Sequence, residues 1–266
     1  MKRTFLAKLQ RVALYCLIGA LLLVVGVPLY QFIVLIPAGY SNALNTLAQT
    51  LRWINGHVLL FAGYRALLVV SFALMLGLPF ALFRIIVAQE IIGREDEEDD
   101  DLEIEDGEEV DQQVGMPEFA WRGKGFAVLA AWTGLLGLIF FAGGTLASTI
   151  YLLSSAASLP AQNAGDAAPL TGFFAVLTYT VGGALLGLAG LFFGAVIARS
   201  GRRLWPDSWV AFGYVALAIA ALMCGSAVEV AFAPTAGQAA LSTPAILLFA
   251  LWALWFGVMV VRLKPE

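Results

Sequence analysis

Six long apolar runs limit what this chain of 266 residues can become. They cover roughly 12–36, 58–84, 126–153, 170–198, 209–233 and 243–261. Crossing ~30 Å of hydrocarbon takes about 20 mostly apolar helical residues, and each run is of that order. A backbone in lipid has no water to bond, so a run of this kind must satisfy its own N–H and C=O groups as a helix. The sequence therefore predicts an all-α fold: a polytopic transmembrane bundle of six helices, forming one integral membrane domain over 1–266. Composition agrees. The chain is 61% hydrophobic with a mean hydropathy of +0.86, against about 45–50% apolar residues in a soluble domain. Too little polar surface remains to cover a water-soluble globule, so the expected partner of most side chains is the lipid bilayer.

The first run follows Lys2, Arg3, Lys8 and Arg11, as the core of a signal peptide does. Its apolar stretch exceeds the 7–15 residues or so of a cleaved core, which predicts an uncleaved anchor. Pro28 within it predicts a kink.

Basic residues set the expected orientation, because lysine and arginine collect in short cytoplasmic loops. The N-terminus has four. The connection 85–125 has Arg94, Arg122 and Lys124, with Arg84 at the helix end. The loop 199–208 has Arg199, Arg202 and Arg203, and the C-terminus has Arg262 and Lys264. The alternate connections are nearly empty: 37–57 holds only Arg52, and 154–169 and 234–242 hold none. This alternation predicts a multi-pass protein of the cell's inner (plasma) membrane with both termini cytoplasmic. Trp121, Trp205 and Trp209 fall at expected inner boundaries, and Tyr40, Trp53 and Tyr151 at outer ones, where amphipathic rings are favoured.

Two connections carry more than linker chemistry. In 41–56, Leu44, Leu47, Leu51 and Ile54 recur at helical spacing, with Asn42, Asn45, Gln49 and Arg52 on the opposite face. Ser41 can cap the start and Asn55-Gly56 can end it. The pattern predicts an amphipathic helix lying on the outer membrane surface. The cytoplasmic loop 89–118 is acidic: thirteen of the nineteen acidic residues lie between Glu95 and Asp111. With so few large apolar residues it cannot bury a core, and the expectation is a disordered segment. It does not match a calcium-binding EF-hand loop, which needs glycine at its sixth position: counted from Asp101 that position is Asp106, and Gly107 comes one place late. Its charge suits a basic protein partner.

Charges inside spans are rare and point to function by default. Arg65 lies about seven residues into the second span and Glu229 four or five residues from the outer end of the fifth. At 1.5 Å per residue both sit roughly 7–10 Å below the outer surface. The matched depths predict an intramembrane ion pair. Gly183, Gly187, Gly190 and Gly194 repeat at intervals of four, three and four on the fourth span, forming one small face of the GxxxG kind. The third span has Ala130, Gly134, Gly137 and Gly144, so the two are expected to pack as a tight antiparallel hairpin. Phe249, Trp252, Trp255 and Phe256 make an aromatic stripe on the sixth, read as packing or lipid contact rather than a cofactor border.

The reactive inventory is short. His57 is the single histidine, too few for paired haem ligands or a histidine-rich metal site. Cys16 and Cys224 both lie in apolar runs and offer no metal spacing. Zinc-protease, nucleophile-elbow and P-loop motifs are missing, and the glycine-rich stretch near 182–194 lies inside a span rather than after a strand. Neither enzymatic activity, nor a cofactor or metal, nor a nucleic-acid partner is expected. Two functions stay open. One is a scaffold, assembly factor or accessory subunit beside other membrane subunits. The other is a transport component using Arg65 and Glu229; in size and topology alone, six spans with a long loop after the second resemble the general plan of ABC-type permease subunits.

Overall fold

The computed structural model describes residues 3–44, 46–89, 118–158, 164–232 and 241–263. The acidic run from Glu95 to Asp111 lies outside the described residues. All secondary structure among those described is helical. Six helices are long and apolar enough to cross a membrane: α1 (Leu6–Leu35), α3 (Val58–Gln89), α4 (Gly125–Ser158), α5 (Gly165–Arg202), α6 (Asp207–Phe232) and α7 (Ser242–Val261). Between α1 and α3 lies the shorter α2 (Leu47–Gly56).

Each span packs on its neighbours in sequence, α1 on α3, then α4, α5, α6 and α7, and α7 closes back on α1. The result is a ring of six helices. Short antiparallel connections favour such sequential neighbours. The closure is tight: a Cβ on Gly257 of α7 would stand 2.8 Å from the Cβ of Leu17. Gln10 seals it from the other end, donating its Nε2 to the Leu263 carbonyl at 2.9 Å. The two chain ends therefore share one face of the bundle, the terminal face; the opposite face is called distal below.

Side chains fill the ring. Phe72, Leu138, Phe193, Ile219, Phe249 and Phe256 belong to one continuous buried cluster. A smaller cluster at the distal face joins Leu51 and Ile54 of α2 to Phe61, Leu152, Ala156 and Ala167.

Three spans depart from regular α-helix. In α1, Pro28 has no N–H to give its own turn, and the helix widens on either side into π-helical segments, Leu22–Gly26 and Gln31–Leu35. The expected kink is thus spread over two wide turns. In α3 the helix breaks into turns at 75–77. Pro79 lacks the N–H that would bond Met75, and its ring disfavours helix at Leu78. Gly77 at the break lets α1 come close, since a Cβ there would stand 2.6 Å from Val12 Cγ1. In α5 a third π segment runs from Val176 to Val181.

The 41–56 region differs from its expected form. A short turn of helix, Tyr40–Ala43, precedes α2, and Thr46 rather than Ser41 caps it, accepting from Gln49 N at 3.2 Å. Leu44, which falls before the cap, is left exposed. Leu51 and Ile54 do not lie flat outward but pack down on α3 and α4. The helix packs as a lid on the bundle's distal end through Leu51 and Ile54.

Candidate functional site at the distal face

Four elements converge at the distal face. At the end of α1, Gly39 adopts φ 83°, a left-handed conformation natural to glycine, and turns the chain into Tyr40. The turn is held by Trp53 of α2, whose Nε1 donates to the Ala38 carbonyl at 2.7 Å. Tyr40 packs on Trp53 with ring centroids 4.8 Å apart and on Tyr64 of α3 at 6.3 Å. His57 stacks on Trp53 at 4.7 Å, and its Nδ1 lies 3.1 Å from the Trp53 carbonyl oxygen. From the π segment of α1, Gln31 donates its Nε2 to the Tyr64 hydroxyl at 2.8 Å. Tyr30, just before it, donates to the Leu60 carbonyl at 3.2 Å.

Arg65 stands within this frame. Phe61, one helical turn earlier on α3, lies under its guanidinium with the ring centroid 5.3 Å from Cζ. The Nε of Arg65 is buried and has no hydrogen-bond partner. Burial pushes the Tyr40 phenol above its ordinary range, and the positive charge of Arg65 draws it back down. Tyr179, on the π segment of α5, is also within electrostatic reach of Tyr40. An aromatic face offsets about 0.5–2 kcal/mol for a cation. A charge held well inside a bilayer costs ~2.5–3.5 kcal/mol at its centre. Nearer the surface, where Arg65 lies, that cost is smaller, and Phe61 offsets a share of it.

Glu229 lies elsewhere. Its Oε2 accepts from the backbone N–H of Leu241 at 3.0 Å, placing a carboxylate at the start of α7. A negative group there suits the positive end of the helix dipole. The structure does not bring Arg65 and Glu229 together as an ion pair; among the described residues, Arg202 and Asp207 form one, at 2.7 Å on the terminal face. The reason is the order of the ring. α3 and α6 are three places apart in a circle of six, so equal depth does not make them neighbours.

The glycine face of α5 also has a different partner from the expected one. A Cβ at Gly187 would stand 2.8 Å from Cys224 Sγ, at Gly190 3.0 Å from the Ala216 carbonyl oxygen, and at Gly183 3.5 Å from that of Met223. Gly194 meets Gly213. All of these lie on α6. The hairpin between α4 and α5 does form, through the small face of α4: a Cβ at Gly137 would stand 2.7 Å from Leu186 Cγ, and Gly144 abuts Thr178. So α5 uses its glycines toward α6 and its larger side chains toward α4.

The aromatic stripe of α7 faces inward. Phe249, Trp252 and Phe256 are buried. Trp252 stacks on Phe212 at 4.5 Å and donates its Nε1 to the Phe212 carbonyl at 3.1 Å. Beside this stack a cavity of about 20 Å³ lies among Leu78, Gly134, Leu186, Ala216 and Phe249. It has room for about one water, but its lining is apolar.

Sequence reasoning placed Arg65 but missed its frame. Gln31 was the available signal, the one amide in the first apolar run, and Tyr64 beside Arg65 was another. Comparison with known proteins finds no matching family, no matching curated protein and no matching solved structure.

Proposed function

We propose that the protein is a non-catalytic scaffold or accessory subunit of a membrane complex. It lies in the cell membrane with both termini cytoplasmic, and presents the acidic segment 89–118 to a basic partner. The observation that carries this reading is the filled interior. Apolar and aromatic side chains of α3, α4, α5, α6 and α7 pack into one core, and the cavity of about 20 Å³ among them is apolar-lined. A carrier needs a polar site near the midplane and a way to open it from each side. A subunit that holds other proteins needs a firm body and faces to offer them.

The transport reading rests on Arg65 and Glu229 acting together. Arg65 rests on Phe61 and Glu229 caps α7, on spans that are not neighbours in the ring, which favours the first reading. Purification of the full chain in mild detergent, with mass spectrometry of whatever co-elutes, tests it. A stoichiometric membrane or basic cytoplasmic partner is expected. Elution alone, or with an ATP-binding protein, sinks the scaffold reading in favour of the other.

A further inference from the structure

Arg65 is a cation in an apolar span whose buried Nε meets no acceptor. A guanidinium carries five N–H donors in a planar fork and cannot discharge itself by losing a proton. Leaving such donors unmet is costly, so the natural completion of the site is an acceptor from outside the chain. The surroundings suit an anion. Phe61 floors the guanidinium, its ring centroid 5.3 Å from Cζ. Tyr40 packs on Tyr64, the chain neighbour of Arg65, and Gln31 donates to the Tyr64 hydroxyl. The second π-helical segment of α1 delivers Gln31 to this region. Wide turns of this kind are frequent at functional sites because they re-aim side chains. The site lies about 10 Å from the start of α3, at 1.5 Å per residue. At that depth a long arginine reaches up toward the headgroup layer.

We propose that Arg65, with Tyr40 and Tyr64 around it, forms a binding site for a phosphate group at the distal face. The phosphate comes from a phospholipid headgroup or from a free phosphate in solution. Either source presents the same acceptor oxygens to the guanidinium fork.

The test uses the full-length protein in detergent, with its melting followed as phosphatidylglycerol, neutral monogalactosyldiacylglycerol or inorganic phosphate is added. A ligand of the folded state raises the melting temperature with its concentration. Phosphatidylglycerol is expected to stabilise the wild type where the neutral galactolipid does not, and Arg65→Gln is expected to weaken that binding about tenfold or more. A shift with inorganic phosphate alone assigns the site to a soluble phosphate. No shift with either, or equal shifts in wild type and Arg65→Gln, overturns the proposal. If Arg65→Gln does not fold, Arg65→Lys is read in its place. It keeps the charge but loses the fork, so weaker binding supports the site and unchanged binding overturns it.

Discussion

Gly194 of α5 and Gly213 of α6 meet backbone to backbone: a Cβ on Gly194 would stand 2.7 Å from the Gly213 carbonyl oxygen. Contact of this closeness lets two helices gain dispersion energy along their length without side chains between them.

Gly194→Leu and Gly187→Leu are therefore expected to destabilise the bundle. Neither site has a flexible side-chain tip alone to displace; carbonyl oxygens of α6 stand in the way. Overpacking of this kind costs about 1–3 kcal/mol, and more where backbone must move. Thermal melting of the two variants in detergent checks this. Because α6 of the same chain already covers the face, neither substitution should change the mass of the protein–detergent particle. A variant that melts like the wild type would mean the face is looser than it looks.

α2 should behave as a docked lid with its own local stability. Ile54 is fully buried beneath it, and truncating a buried aliphatic side chain to alanine costs about 2–5 kcal/mol. Loss of an N-cap such as Thr46 costs about 1 kcal/mol. Ile54→Ala, and more mildly Thr46→Ala, should raise amide exchange across Leu47–Gly56 while leaving α5 and α6 protected. Exchange that stays unchanged in this helix, or rises equally throughout the bundle, would contradict a separately docked lid.

The six spans were legible because length and hydropathy alone specify them, and their observed limits fall within a few residues of the apolar runs. The first is Leu6–Leu35 rather than 12–36, and the fourth Gly165–Arg202 rather than 170–198. What a helix touches was less legible. Position in sequence gives the depth of Arg65 and Glu229, but the partner depends on helix order around the ring, which depth does not encode. The glycine face of α5 announced a close approach without saying to which neighbour. The break before Pro79 could have been inferred from proline chemistry, as a kink at Pro28 was; the widening into π segments around Pro28 was not. The π segment of α5 has no such residue, and nothing in its sequence marks it. α2 was visible as an amphipathic helix; its packing on the bundle was not, because an apolar stripe fits a bilayer surface and a protein rim equally well.

Cytoplasmic termini are a separate expectation, resting on the basic residues. With Cys16→Ala and Cys224→Ala as background, single cysteines at Asp100, Gly165 and Glu266 can be offered a membrane-impermeant maleimide in intact cells. Gly165→Cys, at an exposed position beyond α4, should react. Asp100→Cys and Glu266→Cys should react only after the cells are opened. Protection of position 165 together with labelling of the other two would invert the topology, and a split between positions 100 and 266 would break it.

The separation of Arg65 from Glu229 is measurable as an energy. Groups that form an ion pair or share a network show a coupling of about 0.5–3 kcal/mol in a double-mutant cycle, whereas independent sites add to within about 0.3–0.5 kcal/mol. Arg65→Gln and Glu229→Gln, alone and together, should give additive changes in stability. The Glu229→Gln effect should be small, because an amide oxygen can still accept from Leu241 N–H at the start of α7. Glu229→Ala removes the acceptor and should cost about 1 kcal/mol more, as loss of a helix cap does. Coupling well above the additive range would mean that the two charges sense one another across the ring, and would return weight to a transport site shared between α3 and α6.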